Sequence, residues 1–296
     1  MLVSLSFARF LAAATLLAGA LLWVAAAGAA TPAPLSVQQV APGVFVHQGR
    51  YELFTPRNEG DVSNAGFIVG RDGVTVIDTG GSPRIGASPD HVFGNVAFEA
   101  EKPTFVGHHK LPRALAARAQ RYLAINKELL GDEAFAGERI IAPTLLVDDK
   151  LEIDLGDRTL LLEAQKTAHT DNDLTVLDKK TGTLFLGDLL FVEHVPALDG
   201  SIRGWLALLD QLKQRTDIAR VVPGHGPAAV PWPAAMAAEQ RYLGRIADDV
   251  RALIKQGKTI QEAMATAGLS EKDAWLLFPE YHARNVSAAF AELEWE

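Results

Sequence analysis

Two stretches of β-type sequence, residues 37–78 and residues 144–191, constrain this chain more than any other feature. Each is a series of short apolar runs cut by turn signals. The first holds Val44-Phe45-Val46, Ala65-Gly66-Phe67-Ile68-Val69-Gly70 and Val74-Thr75-Val76-Ile77, with Arg71-Asp72-Gly73 as a hairpin turn. The second holds Leu145-Leu146-Val147, Leu151-Glu152-Ile153, Thr159-Leu160-Leu161-Leu162-Glu163, Leu174-Thr175-Val176-Leu177 and Thr183-Leu184-Phe185-Leu186. Between them Thr104-Phe105-Val106 reads as a further strand, and beyond them Val221-Val222 does. Helical patterns fill the rest. Leu115, Ala119, Tyr122 and Leu123 recur at helical spacing within residues 111–130, and Gly131 stops that helix. Residues 201–213 read as a second helix. Met236, Leu243, Ile246, Val250, Leu253 and Ile254 form an apolar stripe ended by Gly257. Thr259-x-x-Glu262 is a capping box, and Ser270-x-x-Asp273 predicts a further helix start. Two β-rich halves, each with helices, predict an α/β (α+β) chain of stacked sheets with helices outside.

The chain has 296 residues, enough for one large domain or two smaller ones. Its net charge of −8 lacks the basic footprint that nucleic acid requires. With no cysteine, disulfides and thiolate metal ligands are excluded, so any metal must sit on His, Asp, Glu or water. Arg9 is the only charge in the first 30 residues, and an Ala- and Leu-rich stretch runs from Phe10 to Ala30. Ala27-Gly28-Ala29 fits a small-residue cleavage pattern, so residues 1–30 resemble a secretory signal peptide. An uncleaved anchor is the alternative, since about 20 apolar residues can span a bilayer. Both readings place the folded part outside the cytoplasm, in the periplasm or otherwise exported.

Four segments place metal-type side chains beside turn signals: Pro89-Asp90-His91, Thr167-Ala168-His169, Gly187-Asp188 and Pro223-Gly224-His225-Gly226. Singly, each has a plain structural explanation. Ser88-Pro89-Asp90-His91 is also a helix start, with a capping Ser, a first-turn Pro and an acid that suits the helix dipole. Gly187-Asp188 is also an ordinary turn, and His169 stands in a polar loop. Pro223-Gly224-His225-Gly226-Pro227 is the hardest to explain as packing, because two glycines and two prolines fix the backbone around one imidazole. Together the segments adjoin strand ends, which would bring them to one edge of a sheet system. His108-His109 could add at most one side chain there, since neighbours on a strand face opposite ways. His47, His194 and His282 lack ligand-like neighbours and read as structural or surface residues.

The order of these segments resembles the metallo-β-lactamase fold superfamily over residues 37–227. Thr167-Ala168-His169-Thr170-Asp171-Asn172-Asp173, Gly187-Asp188-Leu189-Leu190-Phe191 and Leu198-Asp199-Gly200-Ser201-Ile202-Arg203-Gly204-Trp205 look more specifically like the quinoprotein relay system zinc metallohydrolases. Those are exported relatives associated with periplasmic quinoprotein oxidation. The resemblance implies a four-layer αββα sandwich over residues 31–230, with residues 231–296 as a helical segment packed on it. It implies zinc, one or two ions, with His169 serving the first, Asp90, His91 and His225 the second, and Asp188 bridging both. Asp90 would also shuttle the proton, and Asp78 would orient the cluster from behind. The partner would be a small-molecule substrate, attacked at an ester, thioester or amide-type bond by metal-bound hydroxide. A membrane would enter only through an uncleaved N-terminal segment.

The sequence departs from the family before Asp90. The first two histidines of the His-x-His-x-Asp-His motif are absent, and only residues 78–89 separate Ile77 from Asp90. A parallel crossover needs roughly a dozen residues or more before the next strand can begin. The simplest account is an internal loss of a helix, a strand and its terminal His-x-His; an error in the gene model would look the same. Two expectations follow. One is a zinc hydrolase with an incomplete first site. The other is a catalytically impaired or inactive remnant of the fold that acts as a binding protein.

Overall fold

The computed structural model describes residues 2–6, 36–78, 93–131 and 139–296. Its strands are β1 (Leu2–Ser6), β2 (Gln38–Ala41), β3 (Val44–His47), β4 (Ala65–Val69), β5 (Gly73–Ile77), β6 (Thr104–His108), β7 (Leu145–Val147), β8 (Lys150–Asp154), β9 (Thr159–Ala164), β10 (Leu174–Asp178), β11 (Thr183–Phe191), β12 (Arg220–His225) and β13 (Val230–Pro231). The α-helices are α1 (Leu111–Leu130), α2 (Ile202–Leu212), α3 (Ala237–Lys255), α4 (Ile260–Thr266) and α5 (Phe278–Leu293). The first sheet has the order β2-β3-β4-β5-β1-β6-β7, the second β13-β12-β11-β10-β9-β8. Both are mixed: β6 pairs parallel with β7 and β11 with β12, while the other pairs are antiparallel. Helices flank them, which is the sandwich that the sequence predicts.

Side-chain alternation builds the two cores. Val44, Val46, Ile68, Ile77 and Val106 of the first sheet meet Leu160, Leu162, Val176, Phe185 and Val222 of the second in one buried cluster. The other face of the second sheet packs Leu184, Leu186, Leu190 and Val221 against α2, α3 and α5, with Trp205, Tyr242, Leu243, Ile246 and Phe290. Strand β11 is therefore covered on both faces and reads as a near-continuous apolar run. Strand β8 ends its sheet with exposed Lys150, Glu152 and Asp154, charges that discourage further strand pairing.

The predicted helices over residues 111–130, 201–213 and up to Gly257 form, and Thr259 and Glu262 make both halves of the expected capping box. Ser270-x-x-Asp273 instead lies in a short 3-10 turn, Leu269–Ala274, and α5 begins at Phe278 with Pro279 in its first turn. Residues 2–6 carry the largest difference. The sequence groups them with a leader segment, yet they stand between β5 and β6.

A buried ion pair clips the two sheets together. Arg158 Nη1 lies 3.3 Å from Asp178 Oδ2, and Nη2 donates to Pro42 O at 2.7 Å across to the β2–β3 turn. Both side chains are almost wholly excluded from solvent. Arg158→Leu would leave the Asp178 carboxylate buried without its cation. Urea unfolding of this variant is expected to show a loss of about 3–5 kcal/mol; a change below about 1 kcal/mol would mean that water, with the bond Thr181 Oγ1 already donates at 2.6 Å, suffices for the carboxylate.

Candidate functional site

The parallel pairing of β11 and β12 brings their C-terminal ends to the same edge, with Gly187 opposite Pro223 and Phe191 opposite His225. Asp188 and His225 meet there: His225 Nε2 is 3.5 Å from Asp188 Oδ1. His169 arrives from the loop between β9 and β10, its Nε2 3.5 Å from Asp188 Oδ2. One carboxylate is thus bracketed by two imidazoles. Gly224 permits the approach, because a Cβ at that position would sit 2.1 Å from Asp188 Oδ1 and 2.6 Å from the Gly187 carbonyl carbon.

Each imidazole is aimed by its surroundings. The His225 ring stacks on Phe191 at 4.7 Å with an interplanar angle of 8°. Its loop is pinned by buried Asn64, whose Nδ2 donates to Pro223 O at 2.9 Å and Gly226 O at 3.2 Å. Asn64 N donates to Gly224 O at 2.7 Å, and Asn64 Oδ1 accepts from Gly49 N at 3.0 Å. His169 Nδ1 lies 2.6 Å from Ala197 O; a carbonyl only accepts, so Nδ1 carries the proton and Nε2 is turned to Asp188. Asn285 holds the Ala197 segment in turn, accepting from Leu198 N at 2.9 Å and donating to Pro196 O at 2.6 Å. The backbone before His169 lies against the start of α2, where a Cβ on Gly204 would meet Thr167 O at 2.0 Å.

These groups floor a cavity of about 740 Å³. His108 and Tyr281 also line it, as do Asp78 at the end of β5 and His194 from the segment after β11. His194 is 3% exposed, with its ring centroid 5.0 Å from that of His225 and 5.2 Å from that of Tyr281. Sequence reasoning missed His194, because Glu193, Val195 and Pro196 give it no ligand-like context; a bridge to Leu276 and the rings of Phe191, His225 and Tyr281 place it in the site. His108 lines the cavity and His109, in the turn just past β6, lies against Val147 O; their rings stack at 4.3 Å instead of alternating as neighbours within a strand would. His47 and His282 are structural, bonded to Asp61 and to Ala267 O.

Desolvation sets the character of this floor. Burial pushes the Asp173 carboxyl up and pulls the His194 imidazole down; burial, then the adjoining His109, lowers His108. Burial and then the nearby Asp188 raise the Tyr281 phenol. All four shifts favour the neutral form. Charge is carried at the rim, where Arg118 and Arg121 of α1 and Arg284 of α5 stand with Glu52 and Asp199.

The expected zinc centre is corrected here. Among the described residues no group of three or more His, Cys, Asp or Glu is arranged to hold a metal ion. His169, Asp188 and His225 converge, but as imidazoles set against the two carboxylate oxygens. About three protein ligands directed at one point is the working minimum for zinc. Asp90 and His91, expected as ligands and Asp90 as the proton shuttle, lie outside the described residues. Among the described residues the zinc cofactor, the metal-binding role and the zinc-hydrolase reading therefore find no metal-holding group to rest on.

The model of the Metallo-beta-lactamase superfamily matches residues 89–225, a span that closes on His225. Solved structures agree on the fold. The stereoselective inverting sec-alkylsulfatase Pisa1 from Pseudomonas sp. is similar at a TM-score of 0.63 and 13% identity, over 87% of this chain and 50% of that one. A metallo-beta-lactamase family protein from Thermus thermophilus is similar at 0.57 and 15% identity, over 87% and 94%. A beta-lactamase domain protein from Burkholderia ambifaria is similar at 0.53 and 14%, over 75% and 79%. The chain spans about half the length of the alkylsulfatase. No curated protein matches it in sequence. The chain has the metallo-β-lactamase-like fold, an α+β sandwich of mixed sheets flanked by helices; the matches named here include no quinoprotein-relay protein.

Beneath the site, Glu239 is completely buried, accepts from Phe191 N at 2.9 Å through Oε1, and has no hydrogen-bond partner at Oε2. Burial holds its carboxyl well above the usual carboxylate range. As pH rises through the ordinary glutamate pKa of about 4.3, the unfolded chain releases this proton and the folded chain keeps it. Stability contributed by Glu239 is therefore full below that pH and falls as pH rises toward the folded pKa. Glu239→Gln keeps the acceptor and removes the titration. The Tm difference between variant and wild type should move in the variant's favour from pH 4 to pH 8. A difference that stays flat over that range would show the carboxyl to be solvated.

Proposed function

We propose that this chain is a non-hydrolytic relative of the metallo-β-lactamases that uses the old active-site cavity to bind a small molecule. One observation carries the reading: among the described residues the ligand-type side chains face one another and make no metal-holding group. The cavity volume suits a small organic ligand, as pockets of about 300–1,000 Å³ generally do. Its floor of buried groups biased to their neutral forms favours an uncharged ligand rich in hydrogen-bonding groups over a strongly ionised one. His169, Asp188 and His225 are the floor residues proposed to contact it, with His194 and Tyr281 beside them. Kinship with the quinoprotein relay proteins is supported by the three sequence segments around His169, Asp188 and Trp205. An exported location is supported by the leader-like residues 1–30. No described helix is long and apolar enough to cross a membrane.

The test pairs turnover with binding on the full chain. With and without added zinc, ester, thioester, lactam and sulfate-ester substrates should show no hydrolysis above the buffer rate. A library of neutral polar fragments should yield compounds that raise Tm, and Tyr281→Phe should weaken those that hydrogen-bond the phenol by about tenfold. Zinc-dependent hydrolysis by the full chain would sink the proposal.

A further inference from the structure

Strand β1 is antiparallel to both β5 and β6. Those two neighbours therefore run parallel to each other, one strand's width apart, roughly 9–10 Å at two interstrand spacings. A chain that filled this place on its way from β5 to β6 would lay down a parallel strand by a crossover. Of residues 78–103, which connect the two, Phe93–Glu101 form a 3-10 helix. The place is held instead by Leu2–Ser6 running the other way, with Leu2 opposite Ile77 and Val106, and Ser4 opposite Thr75 and Thr104.

Nothing covalent sets this register. Residues 7–35 separate β1 from the next described segment, which leads into β2 at the far edge of the same sheet. Hairpin strands take their register from the turn between them; β1 has no such turn and takes it from pairing alone. The host is demanding. Ile77 and Val106 sit in the core between the sheets, so an empty place would leave two rows of peptide groups without partners in the middle of a buried sheet. Strand addition at such a place is gripped by the main chain, with side chains adding selectivity. The same residues open the leader-like stretch that ends at Ala27-Gly28-Ala29. A cut there would sever the tether and leave the ladder intact.

We propose that the place between β5 and β6 is a strand-acceptor site, and that its occupant, Leu2–Ser6 of the same chain, is held by main-chain pairing and exchanges with a free extended peptide of the same sequence. The site is separate from the cavity, and the proposal stands whatever the cavity binds.

The probe is a fluorescent peptide of residues 1–7, offered to the full chain. Saturable incorporation up to one peptide per chain is expected. The same peptide with proline in place of Ser4 should not enter, since it lacks a mid-strand donor. In the full chain, Ser4→Pro should lower Tm by roughly 5–10 °C and tighten peptide binding at least about tenfold by weakening its tethered competitor. Unlabelled peptide should restore that Tm and slow hydrogen exchange at Val76, Ile77, Phe105 and Val106. No incorporation into the wild type overturns the proposal, even if Ser4→Pro fails to fold. So does a Ser4→Pro chain with wild-type Tm and wild-type exchange in β5 and β6. A dimer in light scattering that peptide dissolves would reassign the occupant to a second copy.

Discussion

The close approach of Gly224 to Asp188 is the constraint from which the rest of the site follows. Parallel pairing of β11 and β12 fixes both strand ends at one edge, and a side chain at Gly224 would occupy the space that the carboxylate fills. With the carboxylate there, His225 can meet one of its oxygens and His169 the other. The two contacts, each 3.5 Å, set both imidazoles against one carboxylate at a largely desolvated spot.

The supports of the bracket come from distant parts of the chain. Asn64 reaches from the first sheet to the loop of His225, and Asn285 reaches from the last helix to the segment that receives His169. Ser201 caps α2 and accepts from Gly204 N, while Glu292 of α5 accepts from Ser201 Oγ and Ile202 N. The C-terminal helices therefore serve the site as much as the core: they bury the second sheet, contribute Tyr281 and enclose His194. This division matches the electrostatics, with neutral-leaning groups at the floor and guanidinium and carboxylate groups at the mouth.

Much of this was legible in the sequence. Apolar runs between turn residues marked the strands of both sheets, because burial on one or two faces leaves a plain pattern. Asp188 and His225 stood out through the glycine or proline beside them, and His169 through its place in the ordered set of segments; the structure brings those three together. The shortage between Ile77 and Asp90 predicts a lost strand, and that stretch lies outside the described residues. What escaped was non-local. His194 enters the site through its bridge to Leu276 and its contact with Tyr281, which neighbouring residues do not encode. Strand β1 has the composition of a leader, and its pairing with β5 and β6 depends on a place in the sheet that no local pattern reveals. The zinc expectation is not met for another reason: among the described residues no group of three or more is arranged to hold a metal ion, and Asp90 and His91, two of the five expected ligands, lie outside them.

The bracket itself is directly measurable. Imidazole nitrogen shifts of His169 and His225 can be followed by nuclear magnetic resonance in the full chain as zinc is added. The account predicts no saturable change at one equivalent of zinc, and loss of the Asp188 contact in Asp188→Ala alone. Coordination shifts of both Nε2 atoms that saturate at one zinc per chain would contradict it and restore a metal centre.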